Sequence, residues 1–202
     1  MFINVWLFVT EGEIFNIQTP IIFNESTAHC VIHAHQPYAS STFNNSDEIR
    51  IAVQNQDHCL LPSKSSLHVH GRITRTDGAA VTTTVLVSNA ICHLFEEARY
   101  EINAIEIDRN KNVGLTSLMK NYVSLNPGQS RYIQNTGWLE INDNNQSLTI
   151  DTGYFDVTIP LNLIFGFAKD YHKIIVNVKH ELILTRSKTD ENAILQAAPI
   201  EQ

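Results

Sequence analysis

Basic residues are in short supply. The chain carries 14 Lys and Arg against 21 Asp and Glu, a net charge of −7 at pH 7, with no basic run and no basic amphipathic helix. Phosphate backbones are gripped by clustered Lys and Arg, so direct contact with nucleic acid is not expected. Cysteine is sparse too: Cys30, Cys59 and Cys92 are odd in number and match no zinc or redox spacing. Buried free thiols in a reducing compartment are the reading they support. The apolar opening, MFINVWLFVTEGE, is too short to span a bilayer and lacks the positive stretch of a signal peptide. Charge returns at Glu11 and Glu13, so residues 1–25 are expected to be an N-terminal extension, with no membrane partner. No G-x-S-x-G, P-loop or dinucleotide fingerprint occurs, nor any internal repeat or low-complexity tract. Asn24-Glu25-Ser26, Asn44-Asn45-Ser46 and Asn145-Gln146-Ser147 fit the glycosylation triplet, which matters only in a secreted chain.

What the chain does have is strand pattern. With 43% hydrophobic and 17% charged residues over 202 positions, it can build the core of one domain. Ile49, Ile51 and Val53 alternate with Glu48, Arg50 and Ala52, which gives one apolar and one wet face. Leu67, Val69 and Ile73 alternate with His68, His70, Arg72 and Thr74. Phe155, Val157 and Ile159 alternate with Tyr154, Asp156 and Thr158. IIVNVKHELILTR, residues 174–186, reads as one long strand whose polar face is interrupted by Ile175 and Ile183.

Two segments carry helical spacing. Residues 85–98 place Val87, Ile91, Leu94 and Phe95 near a 3.6-residue period. Residues 112–123 place Leu115, Leu118, Met119 and Tyr122 on one side, with Gly114 weakening the first turn. Turns are expected at Thr76-Asp77-Gly78, Asn126-Pro127-Gly128 and Asn142 to Asn145. Asn103-Ala104 reads as a hairpin tip, although alanine tolerates positive φ poorly. Residues 189–202 lose periodicity and read as a tail. The expectation is an all-β jelly-roll sandwich over residues 26–188 with two inserted helices.

Two His-x-His pairs invite a metal reading. On a strand, residues i and i+2 point the same way about 6.5–7 Å apart, so His68 and His70 could share an ion as in cupins. Against this, Arg72 follows on the same face, no Glu completes the cupin spacing, and Leu67 and Val69 already define the buried side. His33 and His35 likewise have no carboxylate nearby in sequence. No metal and no cofactor is therefore assigned, and no catalytic residue. His180 falls on an apolar face, where a core histidine with a hydrogen-bond partner is expected. Glu96 and Glu97 would splay on a helix, Asp108 and Arg109 read as a solvated turn, and Glu101 and Glu106 could face one another across the hairpin. Tyr38, Trp138 and Tyr154 could form a stacking surface for sugar, with core packing as the alternative.

Two stretches carry a family resemblance. One is LPSKSSLHVHGRI followed by SNAICHLFEEARYEINAIEIDRNKNVGLTSLMKNYVSL, within residues 61–125; the other is IPLNLIFGFAKDYHKIIVNVKHELILTRS, residues 159–187. Over residues 43–188 the order of these segments resembles the double jelly-roll-like domain proteins, themselves similar to major capsid proteins of eukaryotic DNA viruses and Maverick-type elements. The resemblance brings no catalytic residues. It implies a structural shell protein of viral or mobile-element origin, placed in a virion where capsid function is retained and otherwise intracellular, that associates with itself as a homotrimer and with other capsid-like proteins. The visible strands amount to one roll, where the capsid proteins have two. A jelly-roll binding module for glycan or protein is the alternative, and a metal-dependent cupin-like enzyme a further one.

Overall fold

The computed structural model describes residues 2–11, 29–38, 43–54, 59–74, 84–126, 131–138 and 153–196. Two antiparallel sheets face each other. The first runs β2 (His29–His35), β1 (Phe2–Glu11), β4 (Cys59–Arg72), β8 (Tyr154–Pro160), with the short β9 (Ile175–Val176) also against β4. The second runs β3 (Glu48–Val53), β10 (His180–Arg186), β6 (Phe95–Ile102), β7 (Ile105–Lys111). A two-stranded ribbon joins β5 (Thr84–Leu86) to β11 (Ile194–Gln196). This is the expected all-β jelly-roll sandwich.

The alternating residues supply the core from both sides. Leu67, Val69, Phe155, Val157 and Ile159 come from the first sheet; Ile49, Ile51, Ala98, Tyr100, Leu182 and Leu184 come from the second. All are buried, because a period of two puts every second side chain on the inner face. Fully burying each large aliphatic among them stabilises the fold by about 1.5–3 kcal/mol. β4 bulges between Leu61 and Ser66, where β1 advances only from Phe8 to Trp6. Pro62 sits in that bulge, where no ladder N–H is needed, and the buried Ser65 hydroxyl donates to the Leu61 carbonyl at 3.1 Å.

Several expectations are corrected. Residues 85–98 do not form a helix: they contain β5, a single turn α1 (Ala90–His93) and the start of β6. FEEARYEI pairs with β10 on one side and β7 on the other, and these ladders override the local helical spacing. Ile91, Leu94 and Phe95 are still buried, through the turn rather than along a helix. The long strand at 174–186 breaks at Asn177, whose φ is 53°, so that β9 lies in one sheet and β10 in the other. Phe2–Glu11, expected as an extension, is a strand between β2 and β4, antiparallel to both. Within the expected tail, Glu191–Ala193 form a 3-10 turn that buries Ala193, and Ile194–Gln196 pair with β5. Asp108 and Arg109 lie inside β7, not in a turn. The turns proposed at 76–78 and 142–145, and Pro127 and Gly128, lie outside the described residues.

The second helical segment is present as α2 (Val113–Ser124), but it is turned over. Its buried residues are Val113, Gly114, Ser117 and Asn121, while Leu115, Met119 and Tyr122 face solvent. Two further short helices, α3 (Leu161–Ile164) and α4 (Gly166–Asp170), pack at the same end. The Asp108 carboxylate accepts the Phe167 N–H at 2.8 Å, satisfying one of the donors that α4 leaves without an internal partner.

The β6–β7 hairpin tip has φ of 50° at Asn103 and 62° at Ala104, as its twist demands. Asn103 is anchored by exchanging 2.8 and 2.9 Å hydrogen bonds with the Lys179 backbone. Ala104 carries a side chain where glycine would be unstrained. Ala104→Gly should therefore raise stability by about 1 kcal/mol in chemical denaturation, with the denaturant slope unchanged.

Candidate functional site

A cleft of about 590 Å³ opens where α1, the first turn of α2 and the chain after β10 meet; His93, Glu96, Asn112, Gly114 and Lys188 line it. Its walls are locked from beneath. Arg186, 4% exposed, donates to the Leu94 carbonyl at 3.0 Å and in a fork to both oxygens of Asp190 at 2.8 and 3.0 Å. The Ser187 hydroxyl donates to the His93 carbonyl at 2.9 Å, so it supports backbone rather than facing a base. Burial holds the His93 imidazole below its ordinary pKa, which leaves it neutral at pH 7. The cleft has polar walls able to hold a small polar ligand, but among the described residues no hydroxyl or thiol within it is hydrogen-bonded to the His93 imidazole. Burial pushes the neighbouring Cys92 thiol up to about 11, which disfavours a thiolate.

Gly114 decides how α2 meets this cleft. A Cβ there would lie 2.2 Å from His93 Nδ1, so only glycine lets the helix come this close. The buried Asn89 amide then donates to the Gly114 carbonyl at 3.1 Å and to the Ser117 hydroxyl at 2.8 Å. Gly114→Ala should destabilise the protein by about 1–3 kcal/mol despite alanine's better helix propensity. Adding His93→Ala in the same chain should recover much of that loss; a double-mutant cycle measures it.

The His68 and His70 pair stands on the outer face of the first sheet, between the buried Leu67 and Val69, whereas His33 and His35 are the less exposed side of β2 and share the face of Leu67 by register. His68 Nε2 lies 2.7 Å from Asp156 Oδ1 across the β4–β8 pair, and the His68 and His70 rings stack with centroids 6.1 Å apart. Arg72, next on that face, lies over the Tyr154 ring at 5.0 Å. His33 and His35 share one side of β2, and the His35 pKa is lowered by burial and then by its His33 neighbour. Among the described residues, no three His, Cys, Asp or Glu side chains gather as a metal site. The three aromatics do not meet as one platform. Tyr38 donates its hydroxyl to Glu181 beside the second sheet, Tyr154 lies on the first, and Trp138 is buried against the edge of Tyr122.

The outer face of the second sheet holds an ionic network not foreseen in the sequence. Glu48 bridges Arg50 at 2.6 Å and Arg99 at 3.2 Å, and Glu97 bridges Arg99 at 3.2 Å and Arg109 at 2.6 Å. Glu181, its side chain 7% exposed, receives Tyr38 Oη at 2.6 Å, Lys179 Nζ at 2.9 Å and Arg50 Nη1 at 3.4 Å. Burial by itself would raise the Glu181 pKa; the donors outweigh it and hold the carboxyl below its ordinary value. The charges alternate visibly along each strand, but their pairing depends on a cross-strand register that the sequence does not display. Glu101 and Glu106 do stand opposite each other in the hairpin.

His180 behaves as a core histidine. It is 3% exposed and shares a 2.9 Å hydrogen bond with the Tyr100 hydroxyl. Burial pushes its pKa down to about 4 from 6.5, so the folded state keeps it neutral while an unfolded chain takes up a proton near 6.5. Its contribution to stability is complete above that value and is lost as pH falls toward 4, a loss on the order of 3 kcal/mol. His180→Gln, which keeps a partner for Tyr100, should flatten the decline between neutral pH and about pH 5 in denaturation series. His35 and His93, shifted the same way, leave a residual slope.

A family model described as Double jelly roll-like domain matches residues 84–202, more than half of the chain. The matched range runs from β5 to beyond β11 and includes the segment expected as a tail, whereas LPSKSSLHVHGRI lies before it. No curated protein and no solved structure matches the chain.

Proposed function

The chain belongs to the double jelly roll-like domain family, and from that premise we propose that it is a non-catalytic structural protein that associates with itself, in the manner of a capsid-like shell. The observation that carries this reading is the family match, joined to the apolar core of the described residues. Among the described residues, apolar side chains from both sheets form one core cluster, and the buried His180 imidazole is engaged by Tyr100. The polar groups of the helical end support this by being spent on structure: Arg186 on a carbonyl and a carboxylate, Ser187 on a carbonyl. The acidic balance favours protein over nucleic acid as the direct partner. Copies of the chain, and other capsid-like proteins, are the partners this reading names.

Light scattering coupled to size exclusion, with negative-stain microscopy of the same fractions, tests it. The expected result is a concentration-dependent oligomer, a trimer among the species, at micromolar protein. A strict monomer up to about 100 µM, weaker than any stable assembly requires, would remove the reading.

A further inference from the structure

α2 buries its small and polar side and shows its large apolar side to solvent. Leu115 is 52% exposed, Met119 63%, Tyr122 53% and Val123 89%. At offsets of 0, 4, 7 and 8 these four fall within about 100° of arc, a single continuous stripe. They present roughly 500 Å² of surface, as large as the biggest apolar patch on a typical monomer.

The stripe is also without charge. The one ionised side chain of α2 is Lys120, and its ammonium is turned inward to the Asn162 and Phe165 carbonyls at 2.9 and 3.1 Å. An uncharged stripe gives electrostatics nothing to select, so its complement must be apolar and uncharged as well. A second copy supplies such a surface by symmetry. Two stripes face to face bury roughly 1,000 Å², the lower limit for a specific interface. Residues 115, 119 and 123 form an i±4 ridge, and two such ridges interlock at a crossing angle of about 50°. Tyr122, braced edge-on by the buried Trp138 at 5.1 Å, gives the contact a fixed aromatic anchor.

We propose that the outward face of α2 is the contact by which one copy meets a second across a two-fold axis. This rests on the self-association proposed above and names one contact within it, the one that closes a dimer; a trimer uses a separate, heterologous surface.

Sedimentation velocity on the full chain and on Met119→Glu and Val123→Glu tests it, with Ile105→Glu at the hairpin tip as an exposed apolar control. The α2 variants should weaken dimer formation by about 100-fold or more while the melting temperature and the control stay at wild-type values. A dimer that forms with wild-type affinity in both α2 variants overturns this contact and leaves the self-association reading standing. A wild-type monomer at every concentration overturns both. A monomer whose melting temperature falls sharply in the α2 variants means that the chain covers its own stripe, and that also overturns the contact.

Discussion

β10 is the strand on which the second sheet depends. It lies between β3 and β6 and is buried on both sides, so each of its residues must find a partner in a dry setting. Inward, Leu182 and Leu184 enter the core and His180 meets Tyr100. Outward, Ile183 stands in register with Arg50 and Arg99, whose guanidinium groups both reach Glu48, and it is 1% exposed. The stems of those arginines cover an aliphatic side chain while their heads stay paired at the surface. Glu181 is tolerated beside it because three donors converge on its carboxylate; removing any of them would leave a buried charge under-compensated. At its end, Arg186 carries the order of the strand into the loop after α1 and the 3-10 turn.

A second constraint acts at the helical end, and it is steric. Asn89, with a φ of 60°, directs its amide to Gly114 and Ser117, and the missing Cβ of Gly114 lets α2 settle onto His93. Close approach of a small, polar helix face leaves the opposite, apolar face pointing away. Ordinary amphipathic helices bury the apolar stripe, because apolar burial is where their stability comes from. Here hydrogen bonds and close contact hold the helix from the polar side, and Lys120 adds a clasp onto α3. The inversion is a consequence of named contacts, not of a loose element.

The architecture was readable where period two was clean. DEIRIAV, the alternation around His68 and that around Phe155 are strands with the expected buried faces, and the Asn103-Ala104 tip is a hairpin. Residues 85–98 were misread because Ile91, Leu94 and Phe95 mimic a helix over one turn, while the ladders that settle the matter come from β10 and β7, far away in sequence. The break at Asn177 was hidden because apolar residues flank it on both sides; only a positive φ at an asparagine separates β9 from β10. The orientation of α2 was also out of reach, since spacing shows that four residues share a side and not which way the side faces. The ionic roof over Ile183 required a register that no single strand contains.

The distribution of charge along the sheet edges bears on how copies could meet. An open strand edge is a template for uncontrolled pairing, and charged side chains are one means of blocking it. β7, at one edge of the second sheet, carries Glu106, Arg109 and Lys111, and β3, at the other, carries Glu48 and Arg50. Growth by edge-to-edge pairing would have to seat the charged side chains of β7 or β3 against a neighbouring strand. Packing through a helix face disturbs neither the ladders nor the ion pairs. Of the two routes by which a sandwich can associate, the charge pattern penalises the one that leads to open-ended aggregation. It leaves the one that a closed symmetry can terminate.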